Sequence, residues 1–266
     1  MEDAFPLSVF VVTLNEEANL RRCLTSLGGM AEEIIVVDSG SSDGTKGVAD
    51  AFGARWFERE WAGFVDQKRY ALEKCTRPWV MYLDADEELS GELCDEIRGF
   101  LERDGGGADG ASFSRVTFFL GRWIRHGDWY PDVKQRLFRR EKGRLDGHGG
   151  HEYVVMEGGG EVRAFLGELK HYSYPTTNDY LRKMVIFSDE HLRSVREKGL
   201  RWSLAGNLFR PWWRFFRSFV LRLGFLDGFP GLWIAVATGF GAFVRHSRLY
   251  EESVAERTRF EDGRGG

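Results

Sequence analysis

The chain has 266 residues, 42% of them hydrophobic, and a formal net charge of −4. That suits one large domain or a domain with an appendage, and it excludes a nucleic-acid footprint at the scale of the whole chain. The three cysteines, Cys23, Cys75 and Cys94, form no CxxC pair, so neither a zinc knuckle nor a disulfide framework is indicated, and reduced cytosolic thiols are the plain reading.

The N-terminal stretch MEDAFPLSVF has an acidic start and no long apolar core, so no signal peptide is expected. LSVFVVTL (7–14) is a continuous β-branched run, the pattern of a strand covered on both faces. A helix follows, with Asn15 as its expected N-cap and Leu20, Leu24 and Leu27 at helical spacing. EEIIVVDSGSSDGT (32–45) is a second buried strand ending in a polar turn, where Asp43 can cap a helix through Val48 and Ala51. ARWFER predicts a third, short strand, and residues 64–75 a helix. WVMYLDADEEL (79–89) is a fourth strand, and Ser90 caps a helix over 90–103.

Strands and helices thus alternate from residue 7 to about 103, which predicts a Rossmann-like α/β architecture: a mostly parallel sheet with helices on both faces. Ligands of such sheets bind beyond the carboxyl ends of the strands. Three polar clusters fall there, Thr13–Glu17, Asp38–Asp43 and Asp84–Glu88.

After the glycine-rich turn 104–110, ASFSRVTFF and KQRLFRR predict strands among loops rich in Trp, His and Gly. From about 176 the pattern turns helical, with Leu181, Val185, Phe187, Leu192 and Val195 repeating. The aromatics crowd the C-terminal third. There Arg210, Arg214, Arg217 and Arg222 alternate with Trp212, Trp213, Phe215, Phe216 and Phe219. The uncharged run Phe229–Val244 is shorter than the ~20 residues that span a bilayer. Basic and aromatic residues together suit a helix lying in a membrane interface. A hairpin packed on the catalytic domain or a dimer contact would show the same composition. The polar tail 251–266 is expected to fray.

Asp84 and Asp86, at i and i+2, can both reach one hard cation such as Mg²⁺ or Mn²⁺, which prefers oxygen ligands and bridges to substrate phosphates. Acids there also favour the start of a helix, the role expected of Glu87 and Glu88. Asp38 could accept from a base N–H or a ribose hydroxyl, beside the exposed N–H groups of its Ser/Gly turn. Lys68 could meet a diphosphate or a base, or simply be solvated. Trp129 and Tyr130 could stack on a sugar or pack under their loop, and Asp132 could bind sugar hydroxyls. Arg136 could reach a phosphate or cover a sheet edge. Glu152 is the candidate base, with His151 as its neighbour, and a strand-edge acid is the plain alternative. His171 could ligate a metal or phosphate, or be a satisfied, partly buried histidine.

VVTLNEEANLRRCLTSL, EIIVVDSGSSDGT and VMYLDADEEL, in that order and spacing, resemble the nucleotide-sugar-binding half of inverting family 2 glycosyltransferases, which have the GT-A fold. The resemblance covers residues 7 to about 90. GFVDQKRYAL, WYPDVKQRLFRR, GHGGHEYVV, LKHYSY and GFLDGFPGLWIAVATGFGAF extend it over nearly the whole chain, toward the branch of lipopolysaccharide core β-glucosyltransferases.

The resemblance implies that Thr13 and Glu16 line the nucleotide pocket, with Asn15 and Ser39 in the same polar clusters, and that Asp38 contacts the base. It makes Asp84–Ala85–Asp86 the family's DXD motif, with Asp86 the direct Mg²⁺ or Mn²⁺ ligand, and gives the base role to a carboxylate at Glu152. The family's alternative Asp of an "ED" pair is missing from the middle region. No QxxRW motif is present, so transfer of a single sugar is expected rather than polymerisation.

The implied organisation is a catalytic domain over 1–175, divided into a nucleotide-sugar half (7–103) and an acceptor half (104–175). A helical membrane-associating region over 176–250 and the tail complete it. The implied partners are a UDP-hexose donor such as UDP-glucose, a saccharide or lipid-linked saccharide acceptor, and a membrane surface met through 207–248. The implied place is peripheral, on the cytoplasmic face of the inner membrane. Two rivals stand beside this reading. A nucleotidyltransferase would want a basic Gly-rich loop where this chain has TLNEE. A catalytically inactive, membrane-bound sugar-nucleotide-binding or scaffold protein would not need the acids.

Overall fold

The computed structural model describes residues 4–148, 151–184 and 202–262. The expected periodicity at Val185, Phe187, Leu192 and Val195 lies outside them. The chain divides into two compact units, one of Met1–Val116 with Asp132–Ser173 and the other of Thr117–Pro131 with Tyr174–Gly266.

In the first unit, strands β1 (Phe5–Thr13), β2 (Ala31–Asp38), β3 (Arg55–Glu58) and β4 (Trp79–Asp84) run parallel in the order β3-β2-β1-β4. The inner strands β1 and β4 are almost wholly apolar on both pleats, as suits strands covered on both faces, whereas the edge strand β3 ends in exposed Arg55 and Glu58. Leu20, Leu24, Leu93, Ile97 and Phe100 close one face, and Ala71 and Cys75 meet Phe10, Ile35 and Tyr82 on the other. The crossovers are α1 (Glu17–Ser26), α2 (Thr45–Ala51) and α3 (Phe64–Lys74).

The sheet is mixed. Beyond β4 come β8 (Asp132–Arg139), β6 (Gly110–Phe119), β11 (Val162–His171) and β5 (Glu87–Leu89), with β8 antiparallel to both β4 and β6. A separate hairpin pairs β9 (Gly143–His148) with β10 (His151–Met156).

Three local expectations change. Asn15 does not cap α1. It takes a left-handed φ of 55°, and its Oδ1 accepts from Ser42 N at 2.8 Å, so it ties two loops together. The run 79–89 is two strands: β4 ends at Asp84, and β5 pairs antiparallel with β11. Glu87 and Glu88 therefore lie on a strand and start no helix. Helix α4 (Gly91–Glu102) is capped as expected, with Ser90 Oγ accepting from Leu93 N at 3.1 Å.

The second unit holds the end of β6, β7 (Arg122–Ile124), α5 (helical over 177–184), α6 (Leu204–Phe216) and α7 (Gly228–Asp262). Phe119, Ile124 and Ile234 form its core, with Trp129, Tyr174 and Trp233 around them. Buried Asp227 accepts from the backbone N–H groups of Arg125 and His126 at 3.0 and 2.8 Å. Helix α7 runs to Asp262, so the tail expected to fray from 251 is helical over its first twelve residues: Glu, Ala and Arg are strong helix formers.

Candidate active site

The three polar strand ends are adjacent because register makes them so. Thr13 pairs with Asp38 across β1–β2, and Val12 with Asp84 across β1–β4. Asp38, only 1% exposed, accepts from Thr13 Oγ1 (2.9 Å), Gly40 N (2.8 Å), Ser41 N (2.6 Å) and Ser41 Oγ. These bonds shape the loop that follows β2. Ser39 Oγ accepts from Gln67 of α3, and Glu16 N donates to Thr45 of α2. Asn15 and Glu16, with Glu17, Asn19, Arg21 and Asp43, line an open depression at the start of α1.

A second cluster gathers at the end of β4. Lys68, 3% exposed despite its place on a helix, donates to Asp84 Oδ1 at 2.6 Å and also to Glu152 Oε1 of β10. Arg136 of β8, 1% exposed, reaches Asp84 Oδ2 at 2.9 Å, Glu87 Oε1 at 2.7 Å and Glu152 at 3.6 Å. Arg115 of β6 pairs with Glu87 at 3.1 Å and Asp132 at 2.7 Å. Glu87 also accepts from Asp84 N at 2.9 Å, closing the turn between β4 and β5. Lys134 also meets Asp132, at 3.0 Å, so one connected network holds four carboxylates and four cations. Such burial is tolerable only because every charge has a partner.

The electrostatics follow. Burial alone would raise the Asp84 carboxyl, but Lys68 and then Arg136 outweigh it and hold it well below the usual carboxylate range. Burial works to lower the Lys68 ammonium, and Asp84 and Glu152, against Arg136, leave it above its ordinary value. Burial likewise opposes the ionised form of Asp132, yet Arg115 and Lys134 pull its carboxyl down.

Among the described residues no group of three or more His, Cys, Asp or Glu is gathered to hold a metal. A cation carried in with a diphosphate needs only one or two protein donors, since phosphate and water fill the rest. Asp86 and His171 fit that need. His171 Nε2 lies 3.4 Å from Asp86 Oδ2, and its buried Nδ1 has no hydrogen-bond partner. Asp84, held by Lys68 and Arg136, is the more committed of the two motif aspartates, and Ala85 between them is buried.

Thr13, Ser39, Asp38, Lys68, Asp84, Asp86, Asp132, Arg136, Glu152 and His171 all belong to the first unit. Trp129 and Tyr130 belong to the second, where the Trp129 ring sits against Tyr174, Tyr180 and Phe119. The His151 side chain lies outside the described residues. Sequence reading missed Arg115 and misassigned Glu87. The available signal was the alternation of β6, which puts Arg115 opposite Asp132 once β6 and β8 are paired.

A parallel α/β half carrying an Asp-Ala-Asp turn and a carboxylate from a separate hairpin has the features of a sugar-nucleotide transferase. The sequence model of the family Glycosyl transferase family 2 matches residues 8–165, and the chain belongs to that family. The chain is 31% identical over 261 residues to the lipopolysaccharide core biosynthesis glycosyltransferase LpsC of Rhizobium meliloti, covering 92% of each. It is 29% identical to an uncharacterized glycosyltransferase of Rickettsia typhi, covering 94% of this chain and 89% of that one.

Among solved structures, glucosyl-3-phosphoglycerate synthase of Mycobacterium tuberculosis, bound to Mn²⁺, UDP and phosphoglyceric acid, aligns with a TM-score of 0.44 at 21% identity. That alignment covers 64% of this chain and 72% of that one. A second complex of the same enzyme, with glucosyl-3-phosphoglycerate, aligns at a TM-score of 0.34 and 26% identity. It covers 43% of this chain and 44% of that chain, so it spans less than half of either.

Proposed function

We propose that the chain is an inverting, metal-dependent glycosyltransferase that moves one hexose from a UDP-sugar to a saccharide of a lipopolysaccharide core or another lipid-linked glycan at the cytoplasmic membrane face. The support for the acceptor is the relative's name together with the length of that match. The observation that carries the chemistry is the joining of Glu152 to Asp84 through Lys68.

In this reading the donor's nucleotide lies over the Thr13–Glu16 and Asp38–Ser41 loops. Asp86, with His171, would hold a Mg²⁺ or Mn²⁺ ion, which would supply charge neutralisation for the departing diphosphate. The acceptor oxygen attacks the anomeric carbon as the bond to the diphosphate breaks, and Glu152 takes the hydroxyl proton. Lys68 and Arg136 keep Asp84 ionised and fix where Glu152 points. Asp132 binds hydroxyls of the acceptor.

The test is nucleotide release and sugar transfer with purified core oligosaccharide. Glu152→Gln should lose roughly 10²–10⁴-fold in transfer while the UDP-sugar still raises its melting temperature. Full transfer by Glu152→Gln removes Glu152 as the base. Donor binding without any transfer by the unaltered chain, across acceptors, favours the inactive-binder alternative.

A further inference from the structure

Within the second unit, α6, the turn after it and α7 present an apolar surface to solvent. On α7, Phe229, Leu232, Val236, Phe240 and Phe243 recur at helical spacing and all are exposed, Phe229 by 67%. On α6, Leu208, Phe209, Trp212 and Trp213 are exposed, and the turn adds Leu221, Phe225 and Leu226. So many exposed apolar side chains on two helices in contact mark an interaction site.

We infer that this face docks in the plane of a bilayer bearing anionic lipid, inserting its aromatic stripe without crossing. Charge selects the occupant. Residues 203–249 hold six arginines and one acid, Asp227, a net of +5 in a chain whose total is −4. Arg217, Arg222 and Arg214 approach the single buried carboxylate of Asp128 at 2.9, 3.3 and 3.9 Å. One carboxylate cannot neutralise three guanidinium groups, so positive charge is left beside the apolar face, with Arg214 and Arg222 nearly half exposed. A second copy of the chain would oppose this charge to itself, whereas anionic headgroups complement it.

Packing selects the depth. The far side of α7 is committed to protein: Ile234 packs with Phe119 and Ile124, and a Cβ on Gly239 would meet Pro211 O at 2.9 Å. The segment Gly224–Val254 is long and apolar enough to cross a membrane by length and composition, its most apolar 18-residue window having a mean hydropathy of 1.2, yet 44% of that window is buried. Its full uncharged run, residues 228–244, reaches only ~26 Å along the axis, short of the ~30 Å hydrocarbon core.

The proposal stands apart from the transfer chemistry. Nucleotide release with a soluble acceptor reads the first unit, and vesicle flotation reads the second. The full chain should float with phosphatidylglycerol-containing vesicles, less so at high salt and little with phosphatidylcholine alone, and alkaline carbonate should release it. Phe229→Glu/Val236→Glu/Phe240→Glu should abolish flotation with nucleotide release retained. Should that variant misfold, Arg214→Gln/Arg222→Gln still decides, with roughly thirtyfold weaker partitioning expected for two surface-proximal charges. Carbonate-resistant binding to neutral vesicles would overturn the in-plane mode. A dimer that the stripe variant dissociates, with no vesicle binding, would overturn the lipid partner.

Discussion

Glu33 shows how a buried acid can be purely structural. It is 9% exposed and accepts from Ser8 Oγ and Arg55 at 2.5 Å, from Thr76 N at 2.8 Å and from Thr76 Oγ1 at 3.1 Å. Burial pushes its carboxyl up, but the Ser8 and Thr76 hydrogen bonds and Arg55 prevail, and its folded pKa lies below the ordinary value. A depressed folded pKa means that stability is present above the unfolded value, near 4.3, and is lost as pH falls through the folded one. Glu33→Gln should therefore be less stable than the parent at neutral pH and flatten the acid limb of a melting-temperature profile below about pH 4.3. An unchanged acid limb would show that Glu33 keeps no such linkage. The place of Asp84 at a strand end was readable because an unbroken apolar run precedes it. Glu33 and Arg115 were not, since a charged residue on a strand reads as exposed until its neighbours are known.

At the scale of elements, the junction of α4 with β11 is set by two small residues. Ser90 Oγ accepts from Leu93 N at 3.1 Å and from Glu168 N at 3.2 Å, so one hydroxyl caps the helix and pins the strand. Gly167 lets α4 approach, because a Cβ there would meet Leu93 N at 2.4 Å. Ser90→Ala should cost about 1 kcal/mol through the lost cap. Gly167→Ala should cost about 1–3 kcal/mol through overpacking. Both are measurable by urea unfolding followed by circular dichroism, and the two changes should not add, since they act at one junction. The cap was legible in the sequence because Ser before a helical pattern is a local signal. The break of 79–89 into β4 and β5 was not: it exists because β5 pairs with β11, some eighty residues away, and no local pattern encodes that partner. The same distance hides the mixed sheet, since β8 and β6 read as isolated strands until they join the parallel half.

For the whole molecule, the site's two motif aspartates should separate in their effects, because they carry different burdens. Asp84 neutralises Lys68 and Arg136 in the absence of any ligand, whereas Asp86 lies beside His171 at the edge of that network. Removing one partner of a buried ion pair strands the others, at about 3–5 kcal/mol. Asp84→Ala should therefore lower the melting temperature of the ligand-free chain by several degrees, and Asp86→Ala should lower it less. A ligand that binds only the folded state stabilises by about 2.7 kcal/mol at a hundred times its dissociation constant. UDP-hexose should accordingly raise the melting temperature, and more so with Mn²⁺ or Mg²⁺ than with chelator. Asp86→Ala should keep the chelator-level shift and lose the metal-dependent increment. If Asp86→Ala keeps the full increment, the cation is held elsewhere. If Asp84→Ala melts like the parent, the network around Lys68 is not what braces the end of β4.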